Sequence, residues 1–303
     1  MPKGVRIVLY AVGGIVVAVL LLAGVVVGVS NSHMARSYTI TPEKVSIPTD
    51  SASIAQGHHI VITRGCNDCH GADMAGGVIM DDPAMGFFAG PNLTGGEGSP
   101  TAGFTDEDWV RAIRHGVGPN GKALRLMPSD EYYYLSDGDL GSLIAYLESL
   151  EPIDNNPGAI RPGPLGRALF AFGKLPNFLP AEHIPHDAPR PEAPPEGLTL
   201  EFGSYIAKGC TGCHGDQLAG GPIPGGAPSW PAAANLTPDK ETGLAGWTQD
   251  DFITALRTGI RPDGTEIDTV MPWKAFGMMK DVELDALWLY VQSLEPREFG
   301  QNQ

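Results

Sequence analysis

Cysteine is scarce, with four among 303 residues. Charge is scarce too: Asp, Glu, Lys and Arg make up 18%, against a usual share of about 25%. Cations are the scarcer sign, 20 Lys and Arg against 35 Asp and Glu, which leaves a formal net charge of −15. Nucleic-acid binding rests on clustered cations that neutralise phosphates, so no nucleic-acid partner is expected. Convincing runs of alternating apolar and polar residues are also missing, so strands are not expected. What is plentiful is Gly, at 40, and Pro, at 27, together about 22% of the chain. That excess excludes a single long-helix or coiled-coil architecture, yet it stays short of a low-complexity, disordered composition.

One long apolar run is present. Ile7 to Val29 are 23 uncharged, overwhelmingly apolar positions, about 35 Å as a helix and enough to cross the hydrocarbon layer of a bilayer. Lys3 and Arg6 precede it, and positive charge is retained on the cytoplasmic side. The pattern predicts a cytoplasmic N-terminus over 1–6, a transmembrane anchor over 7–29 and a linker over 30–54. A cleaved signal peptide is the competing reading, but its apolar region is usually about 7–15 residues, and Gly28-Val29-Ser30 is a weak cleavage site. Either reading exports the rest of the chain.

The exported part repeats. Cys66-Asn67-Asp68-Cys69-His70 recurs as Cys210-Thr211-Gly212-Cys213-His214, and Met127-Pro128 as Met271-Pro272, each at an offset of 144. Asn92-Leu93-Thr94 recurs as Asn235-Leu236-Thr237, and Arg114 and Gly116 as Arg257 and Gly259, at 143. A period this long, present twice, describes two homologous domains and not a solenoid. They are expected over 55–152 and 198–296, followed by a tail over 297–303. Between them, 153–197 is Pro-rich, and its end should be an extended, semi-rigid spacer. Within it, Leu165 to Phe172 is apolar enough to pack on something: a short helix that covers the seam between the domains is expected, with a partner-docking or membrane-surface segment as the alternative.

Each repeat reads as helical, so the fold class expected is all-α. Thr105 and Thr248 are capping residues with Asp108 and Asp251 three positions on, and Gly116 and Gly259 end the helices they start. Leu140, Leu143, Ile144 and Leu147 mark a helical stripe that Val282 to Leu294 repeats. A further helix leads into each cysteine pair. Short helices joined by long Gly/Pro loops make a poor apolar core, so something else should fill the middle of each domain.

Cys-x-x-Cys-His is the c-type haem attachment pattern. Thiols three positions apart can add to the two vinyl groups of one porphyrin, which brings the adjacent His under the iron. A thioredoxin-like pair needs a βαβ setting that is absent, a shared zinc site would join pairs 144 residues apart, and a disulfide within so short a loop is geometrically poor. The reading is two covalently bound haem c groups, held by Cys66, Cys69 and His70 and by Cys210, Cys213 and His214. His70 to Met127 and His214 to Met271 are both 57 residues, and both methionines precede a Pro that stiffens the loop. Met127 and Met271 are therefore the expected sixth ligands. The unrepeated Met74, Met80, Met85, Met278 and Met279 are expected to fill core gaps.

Gly209 to His214, Leu218-Ala219-Gly220-Gly221, Asn235 to Asp239, Trp247-Thr248 and Val270-Met271-Pro272-Trp273 resemble class I c-type cytochrome domains of bacterial diheme and triheme cytochromes. Most similar are the membrane-bound cytochrome subunits that serve alcohol and gluconate dehydrogenases. The first repeat departs from the pattern over Met80 to Gly90, and the chain has two attachment sites where those subunits commonly have three. The resemblance implies the haem-wrapping α fold, His and Met ligation, electron transfer without catalysis by the chain itself, and placement on the bacterial cytoplasmic membrane with the haem domains in the periplasm. Redox proteins, either a dehydrogenase or an oxidase, are the implied partners. A haem enzyme is the rival class, and it would need an iron with an open sixth position.

Three smaller signals complete the reading. The repeated Asn-Leu-Thr matches a glycosylation acceptor, but its place in the repeat points to internal hydrogen bonding. Arg114 and Arg257 are expected as solvated helix-end cations or propionate partners. His33, His58, His59, His115, His183 and His186 are expected to be solvated or singly hydrogen-bonded.

Overall fold

The computed structural model describes residues 2–190 and 192–302. Helix α1, Lys3–Met34, has a mean hydropathy of 2.9 over its most apolar stretch, none of which is buried in the protein. By length and composition it can cross a membrane.

The first domain follows. Asp50 caps α2, Ser51–Thr63, by accepting from the Ala52 and Ser53 amides, and a short turn leads into α3, Cys66–His70. Strands β1, Gly77–Asp82, and β2, Gly86–Gly90, form an antiparallel hairpin. Helices α4, Asp106–His115, α5, Ser129–Tyr132, and α6, Asp137–Glu148, complete it. The Pro-rich segment then supplies β3, Arg161–Pro162, which pairs with β2, and α7, Pro164–Ala171. The second domain contains α8, Leu200–Ala207, α9, Thr211–His214, α10, Gln249–Thr258, α11, Trp273–Phe276, and α12, Asp281–Ser293.

In each domain the first helix crosses the last at a glycine. A Cβ on Gly57 would lie 2.0 Å from the Ser142 carbonyl oxygen of α6, and one on Gly203 would lie 2.0 Å from the Ala286 carbonyl oxygen of α12. The helix backbones touch there, which only Gly permits. Ile60, Val61, Leu140, Leu143 and Ile144 pack around one crossing, and Phe202, Ile206, Leu284, Leu287 and Val291 around the other. Both capping boxes form as expected, Thr105 with Asp108 and Thr248 with Asp251, and Gly116 and Gly259 end the helices at φ +64° and +74°.

The fold is mostly helical, but the three-stranded sheet, in the order β1-β2-β3, was not expected. It occupies the stretch where the first repeat departs from the second. The Asp82 carboxylate turns the hairpin by accepting from the Ala84 and Met85 amides. Val78, Ile79 and Met80 are all exposed, so β1 has no buried face to impose alternation. Helix α7 also differs from expectation. It lies against α1, β2 and β3, not over the seam between domains, because Arg167 donates to Ser30 and Asn31 at the end of α1. Phe178, Leu179, Ala181 and Ile184 of the same segment are buried.

Candidate functional site

The two Cys-x-x-Cys-His segments adopt one geometry. None of the four cysteines is joined to another in a disulfide. Each His is followed by a glycine in the same unusual conformation, Gly71 at φ +77° and Gly215 at φ +78°. Met74 and Leu218, four residues after each His, are both left-handed, at φ +59° and +57°. Their carbonyls accept from the Leu93 and Leu236 amides, at 2.8 Å in each case.

His70 and His214 are buried. The Nδ1 of His70 donates to the Pro91 carbonyl at 2.8 Å, and that of His214 to the Ala234 carbonyl at 2.7 Å. Burial, only partly offset by these carbonyls, holds both imidazoles below the ordinary pKa. This is the arrangement of a metal-binding histidine: one ring nitrogen is oriented by a backbone acceptor and the other, Nε2, is left as a neutral donor atom. The residues present fit haem iron on that observation.

Asn92 and Asn235 tie the next stretch down. Asn92 donates to the Ile153 carbonyl at 2.7 Å and accepts from the Thr94 amide and hydroxyl. Asn235 does the same with the Arg297 carbonyl and Thr237. Both asparagines are buried, so their role is internal, as the repeat implied. The methionine loops also match. Pro128 and Pro272 sit at φ −78°, ψ 58° and φ −77°, ψ 53°, and the Met127 and Met271 carbonyls each accept from the amide two residues on at 2.7 Å. Each Met-Pro is thus an inverse γ-turn, which fixes where the methionine side chain starts. Met127 and Met271 are partly buried against the two separate domain cores.

These paired geometries agree with the comparisons. The family described as cytochrome C oxidase, cbb3-type, subunit III matches residues 52–147, and the family described as cytochrome c matches residues 203–295. The chain carries two cytochrome c domains in tandem. Its cofactors are two covalently bound haem c groups. This cytochrome is 32% identical to the fructose dehydrogenase cytochrome subunit of Gluconobacter japonicus, over 93% of this chain and 59% of that one. It is 29% identical to the cytochrome c subunit of the quinone alcohol dehydrogenase of Gluconacetobacter polyoxogenes, over 82% of this chain and 57% of that one. A protein named diheme cytochrome c-type from Cereibacter sphaeroides is 28% identical, over 78% of this chain and 83% of its own. The cytochrome spans less than two thirds of the two dehydrogenase subunits.

The seam between the two cytochrome domains brings the attachment motifs together. Arg64, two residues before Cys66, donates to the Ile206 carbonyl at 3.3 Å. Its guanidinium lies 5.7 Å from the Tyr134 ring and fills the space where Gly209 lacks a side chain. Glu131 packs in the same way on Gly212, between Cys210 and Cys213, and its carboxyl is raised to about 7, first by burial and then by Asp130. Tyr134 contributes to both domain cores. Glu131 and Tyr134 escaped sequence reading because their repeat equivalents are Ala275 and Met278, whereas the repeated cation at Arg64 and Lys208 was a signal that could have been read.

Other expectations need correcting. Arg114 is not a solvated helix end: it is fully buried and pairs with Glu43 at 2.9 Å and Asp137 at 2.8 Å. Arg257 pairs with Asp281 at 2.7 Å, the position equivalent to Asp137, so the repeated arginine anchors the start of the last helix. His115 is buried between Glu43 and His186, with both contacts at 3.0 Å. Met74 and Met279 fill core gaps as expected, whereas Met80 and Met278 are exposed, on β1 and beyond α11.

Proposed function

We propose that this cytochrome is a membrane-anchored diheme relay that passes single electrons on the outer face of the bacterial cytoplasmic membrane, within a respiratory or photosynthetic chain. Cys66 and Cys69 hold one haem and Cys210 and Cys213 the other, through thioether bonds. His70 and His214 would supply Nε2, and Met127 and Met271 their sulfurs, to the two irons. Helix α1 anchors the chain, with Lys3 and Arg6 on the cytoplasmic side. The observation that carries the reading is the seam: Arg64 against Gly209 and Glu131 against Gly212 place side chains of the first domain directly on the second attachment motif.

When bound, each haem supplies a one-electron iron couple, and His/Met ligation sets that couple at high potential. The protein's part is to hold the two groups, orient them and exclude water. The Pro91 and Ala234 carbonyls fix the imidazole planes. The γ-turns at Pro128 and Pro272 present the methionines. Tyr134, Tyr132 and Arg64 keep the region between the motifs filled.

A more specific role has one support. Relatives that align over most of this chain are named as cytochrome subunits of alcohol, fructose and gluconate dehydrogenases. On that reading the chain docks to a dehydrogenase and carries its electrons onward. Carbon monoxide added to the reduced protein tests the relay against a haem enzyme. The relay predicts negligible binding at either iron; rapid, stoichiometric binding at one iron identifies an open site and contradicts it.

A further inference from the structure

The end of α1 carries a cluster of cations that the relay leaves unexplained. A cavity of about 520 Å³ opens beside it, lined by Asn31, Ala35, Arg125, Ile160, Arg161 and Arg167 among others. Three arginines converge there in a chain of net charge −15. Arg36, Arg111, Arg114, Arg190 and Arg257 each meet a carboxylate. Among the described residues, no Asp or Glu forms an ion pair with Arg125, Arg161 or Arg167. Their contacts are to neutral groups instead. Arg125 donates to the Ile160 carbonyl at 3.1 Å, Arg161 stacks over Phe87 at 4.6 Å, and Arg167 donates to Asn31 at 2.7 Å. A guanidinium has five donors, so each keeps some unspent. Burial, and then the charge of Arg167, hold Arg125 below its ordinary pKa. Arg125 and Arg167 therefore repel one another with no carboxylate paired to either, and Arg161 lines the same cavity.

The position of the cluster matters as much as its sign. If the apolar run ends at Val29, Asn31 lies about 3 Å and Ala35 about 9 Å further along the helix axis. The polar layer of a bilayer extends roughly 5–8 Å beyond the hydrocarbon on each side. The cavity thus stands at the depth of the lipid phosphates. Leu165 of α7 and Phe172 just after it are exposed, at 47% and 63%. An amphipathic helix with exposed apolar side chains beside a membrane-crossing helix suits the boundary between head groups and acyl chains.

We propose that Arg125, Arg161 and Arg167 form a binding site for the phosphate of an anionic phospholipid of the outer leaflet, which fixes the height and tilt of the cytochrome domains above the membrane. Guanidinium forks recognise phosphate oxygens in pairs, and the anion supplies the missing counter-charge. The proposal rests on the reading of α1 as a membrane anchor, and its test separates the two.

The test uses the full, haem-loaded chain in detergent, titrated with short-chain phosphatidylglycerol, with short-chain phosphatidylcholine or with inorganic phosphate. Flotation with vesicles is measured alongside. The expected result is preferential binding of phosphatidylglycerol, roughly thirtyfold weaker in the double variant R125Q/R161Q, with the haem spectrum unchanged. Arg167 is left in place because it also holds α1. Should the double variant fail to fold, R161Q alone, at an exposed side chain, is expected to weaken binding roughly fivefold. Equal binding of both lipids, or variants that bind like the parent, overturns the site while flotation stays intact. Displacement of the lipid by inorganic phosphate at matching concentration assigns the site to free phosphate and overturns the lipid. Failure to float with any vesicle overturns the anchor reading and the lipid site with it.

Discussion

Tyr205 of the second cytochrome domain donates its hydroxyl to Asp139 of the first at 2.5 Å. The converse contact exists too, since His59 of the first domain lies 2.7 Å from Glu283 of the second. Tyr205 and His59 each stand two residues after the crossing glycine of their own first helix, and Asp139 and Glu283 are repeat equivalents near the start of the last helix. The seam therefore joins the two copies through matching positions in both directions, as in a two-fold interface.

Replacing Tyr205 with Phe leaves both Asp139 and the Ser136 amide, which donates to the Tyr205 oxygen at 3.1 Å, without this partner. A loss of about 1–3 kcal/mol in stability is expected. Denaturant unfolding of Y205F, D139N and the double variant checks it. The double variant should cost less than the two single ones added together, and strict additivity would show that the contact contributes nothing.

The glycine crossings predict equal damage in the two domains. Gly57→Ala and Gly203→Ala each force a Cβ to within 2.0 Å of a backbone oxygen, so the helices must separate, at a cost of about 1–3 kcal/mol. Gly28→Ala in α1, where nothing lies within 4 Å, should cost nothing. Denaturant midpoints and the yield of haem-loaded protein report the difference.

Acid should loosen the strap between α1 and the first domain. Glu43 accepts from Arg190 at 2.6 Å, Arg114 at 2.9 Å and His115 at 3.0 Å. Burial alone would raise its carboxyl, but the Arg190 hydrogen bond, its own amide, His115 and Arg114 outweigh this and hold it at about 2. A carboxyl lowered on folding stabilises fully above its unfolded pKa of 4.5 and loses that contribution as pH falls toward about 2. Thermal melts over that range should show the loss in the parent and a flatter profile in Glu43→Gln.

Much of each domain was legible because its determinants are local. A capping Thr with Asp three residues on, a left-handed Gly at the helix end, and Cys-x-x-Cys-His all act within a few residues, and the duplication let each signal be read twice. The sheet was not legible, because β2 finds its second partner in β3, some seventy residues away in the Pro-rich segment. Arg114 gave no sign of its burial, since Glu43 approaches from the strap before the domain. The seam was hidden for a different reason. Two fewer residues separate the crossing glycine from the cysteines in the second copy, so Tyr205 falls out of the 144-residue register, and His59 and Tyr205 share position without sharing chemistry.

The central claim is that both irons are closed by methionine and serve only to pass electrons. Its most direct test is the sulfur-to-iron charge-transfer band of the oxidised protein, measured with a potentiometric titration in Met127→Ala and Met271→Ala. The account predicts that each variant loses about half of the band, as expected when one of two His/Met irons changes ligand, and that one of the two potentials falls while the other stays. A variant that keeps the full band and both potentials would contradict it.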